Sequence, residues 1–274
     1  MGKLHLVMYS QGEPFNTSKR KMIETIRNCT SREVVCHSYD LQRMKGCDWF
    51  KHMEVVSKIP EIRKRDGLHC AYKPFIVNDV YQEMGDEDTL FYADCSKYHN
   101  TPRIGFIEHL DVLLDFVDEH GHVAGAIASN IWNGLAEPDG TNGICNIIEV
   151  WNAIIKEGDN RKYFDLYHVC ASWFLFKKND VISAFMKDWI YYCMVTTTAL
   201  PNPLITYHHT VDQSIFNILV VKYNMIVFFD EDLNHREVKN RNRVMKSINA
   251  AHESKKQFFK HILDVKNTAK QRLI

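Results

Sequence analysis

The sequence predicts an α/β fold in which helices flank a mixed central sheet, and three segments carry this prediction. A strand over Leu4–Tyr9 is followed by a helix over residues 17–28, which is the order of a βα unit. Residues 90–93 are apolar or aromatic throughout, as expected of a strand buried on both faces. The chain turns polar at Asp94, which predicts a carboxylate at a strand end, where α/β folds present acids to a metal or phosphate.

The other elements follow from the same kinds of pattern. Pro74 has the fixed φ that suits a first helical turn, and Gly85 ends the helix that begins there. Further strands are predicted over residues 34–39, 123–128, 170–176 and 225–229, and further helices over residues 110–118, around 147–156 and after Thr210. We expect one α/β domain over residues 1–232 and a basic, mainly helical extension over residues 233–274, packed on the same domain.

Composition restricts the function without selecting a chemistry. The 274 residues are enough to bury a sizeable core, and 34 basic side chains balance 34 acidic ones. With no net charge, no overall field attracts the protein to nucleic acid. Residues 236–274 hold eleven Lys and Arg against three Asp and Glu, which a solvated helix explains. The alternative is an adaptor that binds nucleic acid or a membrane surface through this segment, with strongly salt-dependent binding.

Targeting and redox signals are weak in this sequence. No apolar run approaches the ~20 residues that cross a bilayer, and the first residues contain no apolar signal core. We therefore expect a soluble, cytoplasmic protein without a membrane span and without a nucleic-acid partner. The eight cysteines contain no Cys-X-X-Cys pair, so structural zinc is not expected and the thiols should be reduced.

Two motifs, in this order, resemble those of a known enzyme family. Residues 72–80 read Tyr-Lys-Pro and then mainly apolar, and they lead through a Gly-Asp pair to a strand that ends in Asp-Cys-Ser at 94–96. Residues 209–217 read His-Thr-Val-Asp-Gln-Ser-Ile-Phe-Asn. Both are similar to nucleotide-sugar glycosyltransferases of the GT-A type, especially a group found in large DNA viruses (chlorella-virus or mimivirus-like) and bacteria. The second motif also resembles glycogenin-like transferases.

The resemblance covers roughly residues 3–230, because residues 171–179 and 185–189 also fit the group. It departs from the group at two places: the usual metal motif Asp-X-Asp ends in Ser96, and the Arg after the motif histidine is Thr210. The resemblance implies a GT-A fold, which is a Rossmann-like nucleotide-diphospho-sugar transferase fold. It also implies transfer of a sugar from a nucleoside diphosphate donor, with UDP favoured, to a glycan hydroxyl, assisted by Mn²⁺ or Mg²⁺ and with inversion expected. A viral member would act in the host cytoplasm.

The resemblance, together with the polar loop after the first strand and the basic segment near residue 241, predicts roles for individual residues. Asp212 is the candidate catalytic base, although an Asp in a first helical turn also complements the helix dipole without any catalytic role. The candidate metal ligands are Asp94 and His235. The candidate donor contacts are Ser10, Gln11, Lys73, Asp94, Ser96, Arg241 and Arg243, and the candidate acceptor contacts are Trp132, Trp173, His209 and Gln213.

Two further interpretations stay open at the level of sequence. The shortened metal motif at Asp94 is also consistent with a catalytically inactive relative that binds a nucleotide or a carbohydrate. A nucleotidyltransferase is less attractive, because no glycine-rich loop with an adjoining basic residue follows the first strand. Cys95 is a weak candidate metal ligand, and a small thiol without a metal role is the better interpretation.

Overall fold

The computed structural model describes residues 1–57, 71–95, 110–127, 148–156, 169–198 and 211–227. In these ranges the chain forms a mixed α/β structure built on one open five-stranded sheet, with helices packed against both of its faces. A second, two-stranded sheet lies beside it. None of the helices in these ranges is both long and apolar enough to cross a bilayer.

The strands of the large sheet follow the order β2-β1-β3-β7-β4. The strands are β1 (Leu4–Tyr9), β2 (Val34–Tyr39), β3 (Thr89–Ala93), β4 (His122–Val123), β5 (Ala126–Ile127), β6 (Val169–Cys170) and β7 (Trp173–Lys177). Strand β1 pairs in parallel with β2 and β3, whereas β7 runs antiparallel to β3 and β4. The carboxyl ends of β1, β2 and β3 therefore share one edge of the sheet with the start of β7.

Five of the eight helices in the described ranges match predicted ones, and the helix over Asp180–Thr198 was not predicted. The helices are α1 (Phe15–Cys29), α2 (Leu41–Lys45), α3 (Phe50–Ser57), α4 (Lys73–Glu83), α5 (Leu110–His120), α6 (Ile148–Ile154), α7 (Asp180–Thr198) and α8 (Val211–Lys222). Helices α2 and α3 lie in a charged region for which the sequence indicated no particular element. Asp40 caps α2, because its carboxylate accepts a hydrogen bond from the Arg43 amide at 2.7 Å.

Two hydrophobic cores lie on opposite faces of the large sheet. Because side chains alternate along a strand, Phe91 of β3 joins the core formed with α1 and α5, and Tyr92 joins the core formed with α4, α7 and α8. The second core is strongly aromatic, since Phe174 of β7 packs 5.3 Å from Phe216 and 5.7 Å from Trp189 between ring centroids. This packing fixes α7 and α8 against the sheet.

Two predicted strands are each divided in the structure. Residues 123–128 were predicted as one strand, but β4 pairs with β7 and β5 pairs with β6 in the other sheet. Gly125 lies between them at φ 102°, a conformation that turns the chain and that other residues rarely adopt. The predicted strand over 170–176 is likewise interrupted at Ala171 and Ser172, which form a turn between β6 and β7.

The prediction of a strand over residues 225–229 is wrong for the part that the structure describes. Residues 225–227 are buried but form no strand. The chain here runs beside the end of β4: the Ala124 amide donates to the Ile226 carbonyl at 2.8 Å, and the Ile226 amide donates to His122 Nε2 at 3.1 Å. The apolar character of residues 225–227 therefore indicates burial and not strand pairing. Residues 228 and 229 lie outside the described ranges.

A pair of histidines, His5 of β1 and His37 of β2, joins these two strands. His5 Nε2 lies 3.1 Å from Asp88 Oδ2, and His5 Nδ1 lies 2.9 Å from His37 Nε2. The Lys3 and Gly85 amides donate to the same Asp88 carboxylate at 2.7 and 2.8 Å. Burial, followed by the charges of His5 and Arg43, lowers the pKa of His37 to about 4.

The lowered pKa of His37 predicts a loss of stability in mild acid. The folded state resists protonation of this ring, so its contribution is complete above the ordinary value of 6.5 and is lost as the pH falls toward about 4. We expect the free energy of unfolding, measured with urea at a series of pH values, to decrease across this window. His37→Gln should flatten the decrease, whereas His52→Gln, at an exposed position, should leave it unchanged. Identical pH profiles for wild type and His37→Gln would contradict the assignment.

Candidate functional site

Lys73 lies at the centre of the site. It is the first residue of α4, where Pro74 in the first turn sets the direction of the helix. Its ammonium nitrogen lies 2.9 Å from Asp212 Oδ2, 3.5 Å from Asp94 Oδ1 and 3.1 Å from the Ala171 carbonyl oxygen. Only 4% of the side chain is exposed, so the charge is held almost entirely by protein groups. Lys73 thus connects the two sequence motifs directly.

Asp94 is the exposed acid of the pair. It follows β3, and its backbone amide donates to the Ser172 carbonyl at 2.8 Å, so the strand end is anchored to the turn before β7. Its Oδ1 accepts a hydrogen bond from the Tyr92 hydroxyl at 2.5 Å. The Asp94 side chain is 39% exposed. A ligand that approaches the carboxyl edge of the sheet can therefore contact Asp94.

Asp212 is the buried acid. It lies in the first turn of α8, as predicted, and only 3% of its side chain is exposed. The helix is held on both sides: Trp189 Nε1 donates to the Asp212 carbonyl at 3.1 Å, and the Asn217 side chain exchanges hydrogen bonds with both backbone groups of Val169 at 2.5 and 2.7 Å. The Asn at the end of the second motif thus fixes the position of the Asp at its centre.

Burial of the charged Lys73 and Asp212 side chains carries a free-energy cost of desolvation. One ammonium and two carboxylates carry a formal charge of −1, and the inner pair is removed from water. A buried ion pair repays its desolvation only through good geometry, and an unpaired buried charge costs about 3–5 kcal/mol. The 2.9 Å contact between Lys73 and Asp212 meets that condition. The position of α4, the end of β3 and the start of α8 are therefore mutually constrained.

Three further predicted site residues lie at or near the same edge. Ser10 follows β1, is buried, and donates through Oγ to Asn16 Oδ1 at 2.7 Å. Gln11 is exposed, and its Oε1 accepts a hydrogen bond from the Leu41 amide at 3.0 Å. Gln213 is partly exposed beside Asp212. Their roles as donor and acceptor contacts stay predictions.

Trp173 is not brought to the Lys73 cluster. It is 1% exposed and belongs to the core on the opposite face of the sheet, with side chains of α1 and α5. Alternation along β7 explains this placement, because Phe174 rather than Trp173 faces α4 and α8. The other predicted site residues lie outside the described residues: Ser96, Trp132, His209, His235, Arg241 and Arg243.

Asp94 is the described acid at this edge whose carboxylate could contact a divalent cation. Mn²⁺ and Mg²⁺ prefer oxygen ligands, and Asp94 Oδ2 accepts no hydrogen bond from any described residue. Over the described ranges no three His, Cys, Asp or Glu side chains lie close enough together to hold a metal. Cys95 is a poor thiolate ligand, because burial and the neighbouring Asp94 raise its pKa to about 12.

Sequence reasoning missed two groups that hold the site together. Tyr92 was assigned only to the core, although its place two residues before Asp94 puts both side chains on the same face of the strand. The Ala171 carbonyl was hidden inside a predicted strand, and only the turn between β6 and β7 directs it toward Lys73. The signal for Tyr92 was available in the spacing, whereas the carbonyl has no sequence signal.

No family model matches the sequence, and no curated protein matches it.

The buried ion pair predicts a large cost for removing its cation. Lys73→Met keeps the length of the side chain but leaves Asp212 buried without its partner, so we expect the free energy of unfolding to fall by about 3–5 kcal/mol. The double variant Lys73→Met with Asp212→Asn should recover part of this loss. Urea unfolding of the wild type, of each single variant and of the double variant gives the coupling energy.

Lys222→Met is the matched control, because Lys222 pairs with Asp188 at 2.6 Å but is 32% exposed. That variant should lose at most about 1 kcal/mol. Equal losses at the two lysines would contradict a special role for Lys73.

Proposed function

We propose that this chain is a glycosyltransferase of the GT-A type that transfers a sugar from a nucleoside diphosphate donor, with UDP favoured, to a hydroxyl of a glycan. One observation carries the proposal. Lys73 and Asp94 of the first motif and Asp212 of the second meet in one cluster at the carboxyl edge of the parallel strands. This edge is where open α/β sheets bind their ligands.

The proposed reaction forms one bond and breaks another at the anomeric carbon of the donor sugar. The acceptor oxygen forms a bond to this carbon, and the bond from the carbon to the diphosphate oxygen breaks. The diphosphate leaves with the electron pair, and the hydroxyl proton passes to a base. Attack on the face opposite the leaving group inverts the configuration, and inversion is the course that we propose. Negative charge develops on the leaving diphosphate, so positive charge at this edge lowers the barrier.

We assign the roles of Asp94 and Asp212 from the solvent exposure of their side chains. Asp94, which is 39% exposed, is the acid that contacts the donor side of the site. Asp212 is proposed as the base for the acceptor hydroxyl, which requires the acceptor or a water to reach a carboxylate now paired with Lys73. Lys73 holds Asp212 in place and offsets the mutual repulsion of the two carboxylates. Bound Mn²⁺ or Mg²⁺ would be held by Asp94 and would supply positive charge for the departing diphosphate.

A second candidate function is a catalytically inactive relative that binds a nucleotide or a carbohydrate. The near-complete burial of Asp212 favours it, because a base that contacts Lys73 and almost no solvent has no direct path to an acceptor. In this alternative the cluster organises the edge of the sheet, and Asp94 alone contacts the ligand.

A panel of nucleotide sugars separates the two candidates. Each sugar nucleotide is added with and without Mn²⁺, and both thermal stabilisation and release of the nucleoside diphosphate are measured. A transferase should be stabilised by its donor and should hydrolyse it slowly when no acceptor is present. Stabilisation without any release over long incubation would favour the binding protein. No stabilisation by any member of the panel would refute the transferase and the nucleotide-binding relative, and the same assay with free glycans would then test carbohydrate binding.

Asp94→Asn tests the donor side of the site. The amide is nearly isosteric but uncharged, so we expect the variant to keep its fold and lose most of its Mn²⁺-dependent affinity for UDP, measured by calorimetry. Asp86→Asn, at an exposed position close in sequence, is the control and should bind like wild type. Full affinity and full Mn²⁺ dependence in Asp94→Asn would remove Asp94 from the metal site.

Asp212→Asn tests the catalytic assignment. If Asp212 is the base, turnover per folded molecule should fall about 100-fold or more while affinity for the UDP-sugar is retained. Asp188→Asn is the matched control, because it removes a carboxylate paired with a lysine on the neighbouring helix. Turnover and thermal unfolding are measured on the same preparations. A loss of stability with unchanged turnover would assign Asp212 a structural role only.

A further inference from the structure

The Tyr92 hydroxyl is placed to control the exposed acid of the site. Tyr92 and Asp94 are two residues apart at the end of β3, so their side chains project from the same face of the sheet. The hydroxyl oxygen lies 2.5 Å from Asp94 Oδ1, at the short end of the range for a hydroxyl that donates to a carboxylate. The first motif includes an aromatic residue at this position, but Tyr92 was assigned only to the core.

The ring of Tyr92 is held rigidly. Its side chain is 1% exposed, and the ring stacks on Phe174 with centroids 5.0 Å apart and planes inclined by 13°. Phe174 is also its partner in the pairing of β3 with β7. A phenol packed in this way presents its oxygen at one fixed point beyond the strand end. The hydroxyl is therefore a preorganised donor rather than a mobile one.

Asp94, in contrast, has few other constraints on its side chain. The backbone is anchored through the Ser172 carbonyl, but the carboxylate is 39% exposed and lies 3.5 Å from Lys73, beyond ordinary hydrogen-bond length. An exposed carboxylate without a fixed partner occupies several rotamers and loses conformational entropy when it binds a ligand. The hydrogen bond from Tyr92 holds Oδ1 and leaves Oδ2 for the ligand.

We propose that Tyr92 is a positioning residue, which holds the Asp94 carboxylate in one orientation so that Oδ2 faces the ligand at the edge of the sheet. The nature of that ligand, a metal-bound nucleoside diphosphate, rests on the function proposed above. The orientation itself does not, because it follows from contacts among Tyr92, Phe174 and Asp94. The simpler alternative is that Asp94 only satisfies the buried hydroxyl of a core tyrosine.

Tyr92→Phe removes the hydroxyl and retains the ring, and its effect is read in two ways. The first is a crystal structure of the variant. We expect the fold to be unchanged and the Asp94 carboxylate to be rotated or to occupy more than one conformer. Asp94 in one conformer with the wild-type orientation would overturn the proposal, whatever the protein binds.

The second measurement is Mn²⁺-dependent binding of UDP. Tyr92→Phe moves the cost of ordering one side chain into the binding step, which predicts an affinity about 2- to 10-fold weaker. In the Asp94→Asn background the same substitution should have almost no further effect, because Tyr92 acts through Asp94. Additive losses in the two variants would overturn the positioning role. If wild type binds no UDP, the proposed function fails and the crystal structure still decides the role of Tyr92.

Tyr81→Phe is the matched control for both measurements. Tyr81 is also buried, at 2% exposed, and its hydroxyl lies 3.0 Å from Ser183 Oγ and 3.2 Å from the Asn179 carbonyl oxygen, away from the Lys73 cluster. It should lose stability comparable to that of Tyr92→Phe and keep wild-type affinity for UDP. An equal loss of affinity in Tyr81→Phe would assign the effect of Tyr92 to general loosening of the core.

Discussion

The burial of Lys73 is the constraint on which the arrangement of the site depends. An ammonium group with 4% of its side chain exposed must have its charge and its hydrogen bonds satisfied by the protein. Its partners come from the end of β3, the start of α8 and the turn between β6 and β7. If any one of these moves, the lysine loses a partner that water cannot easily replace. Three parts of the chain that are distant in sequence are thus held by a single charge.

Local patterns predicted the elements that supply this cluster but not the contact itself. The bounds of β1 and β2 agree with the predicted ones, and α4 begins one residue before the predicted start at Pro74, because alternation, proline and glycine act over a few residues. The pairing of Lys73 with Asp212 depends on how α4 and α8 pack on the sheet. The sequence suggests that Lys73 is available to bind an anionic ligand. The fold shows instead that the carboxylates of Asp94 and Asp212 balance its charge.

The two divided strands also show that a local sequence pattern does not determine tertiary pairing. An apolar run such as residues 123–128 indicates burial, but it does not indicate which sheet each residue joins. That choice is made at Gly125, where φ of 102° turns the chain, and by partners such as the Ile226 carbonyl. A similar break at Ala171 and Ser172 affects the site directly. There the Ala171 carbonyl accepts a hydrogen bond from Lys73, and the Ser172 carbonyl accepts one from the Asp94 amide.

The difference in exposure between the two acids has a chemical consequence for the proposed reaction. Asp94 contacts solvent and Asp212 contacts Lys73, so a ligand at the sheet edge meets the first carboxylate before the second. For Asp212 to accept a proton, the lysine must stay close enough to hold the cluster together while the acceptor gains access to the same carboxylate. Movement of the ammonium away from Asp212 would leave a buried carboxylate unpaired, which costs about 3–5 kcal/mol. A cation held at Asp94 would repel the ammonium toward Asp212, so an acceptor would have to reach Asp212 while that ion pair stays intact.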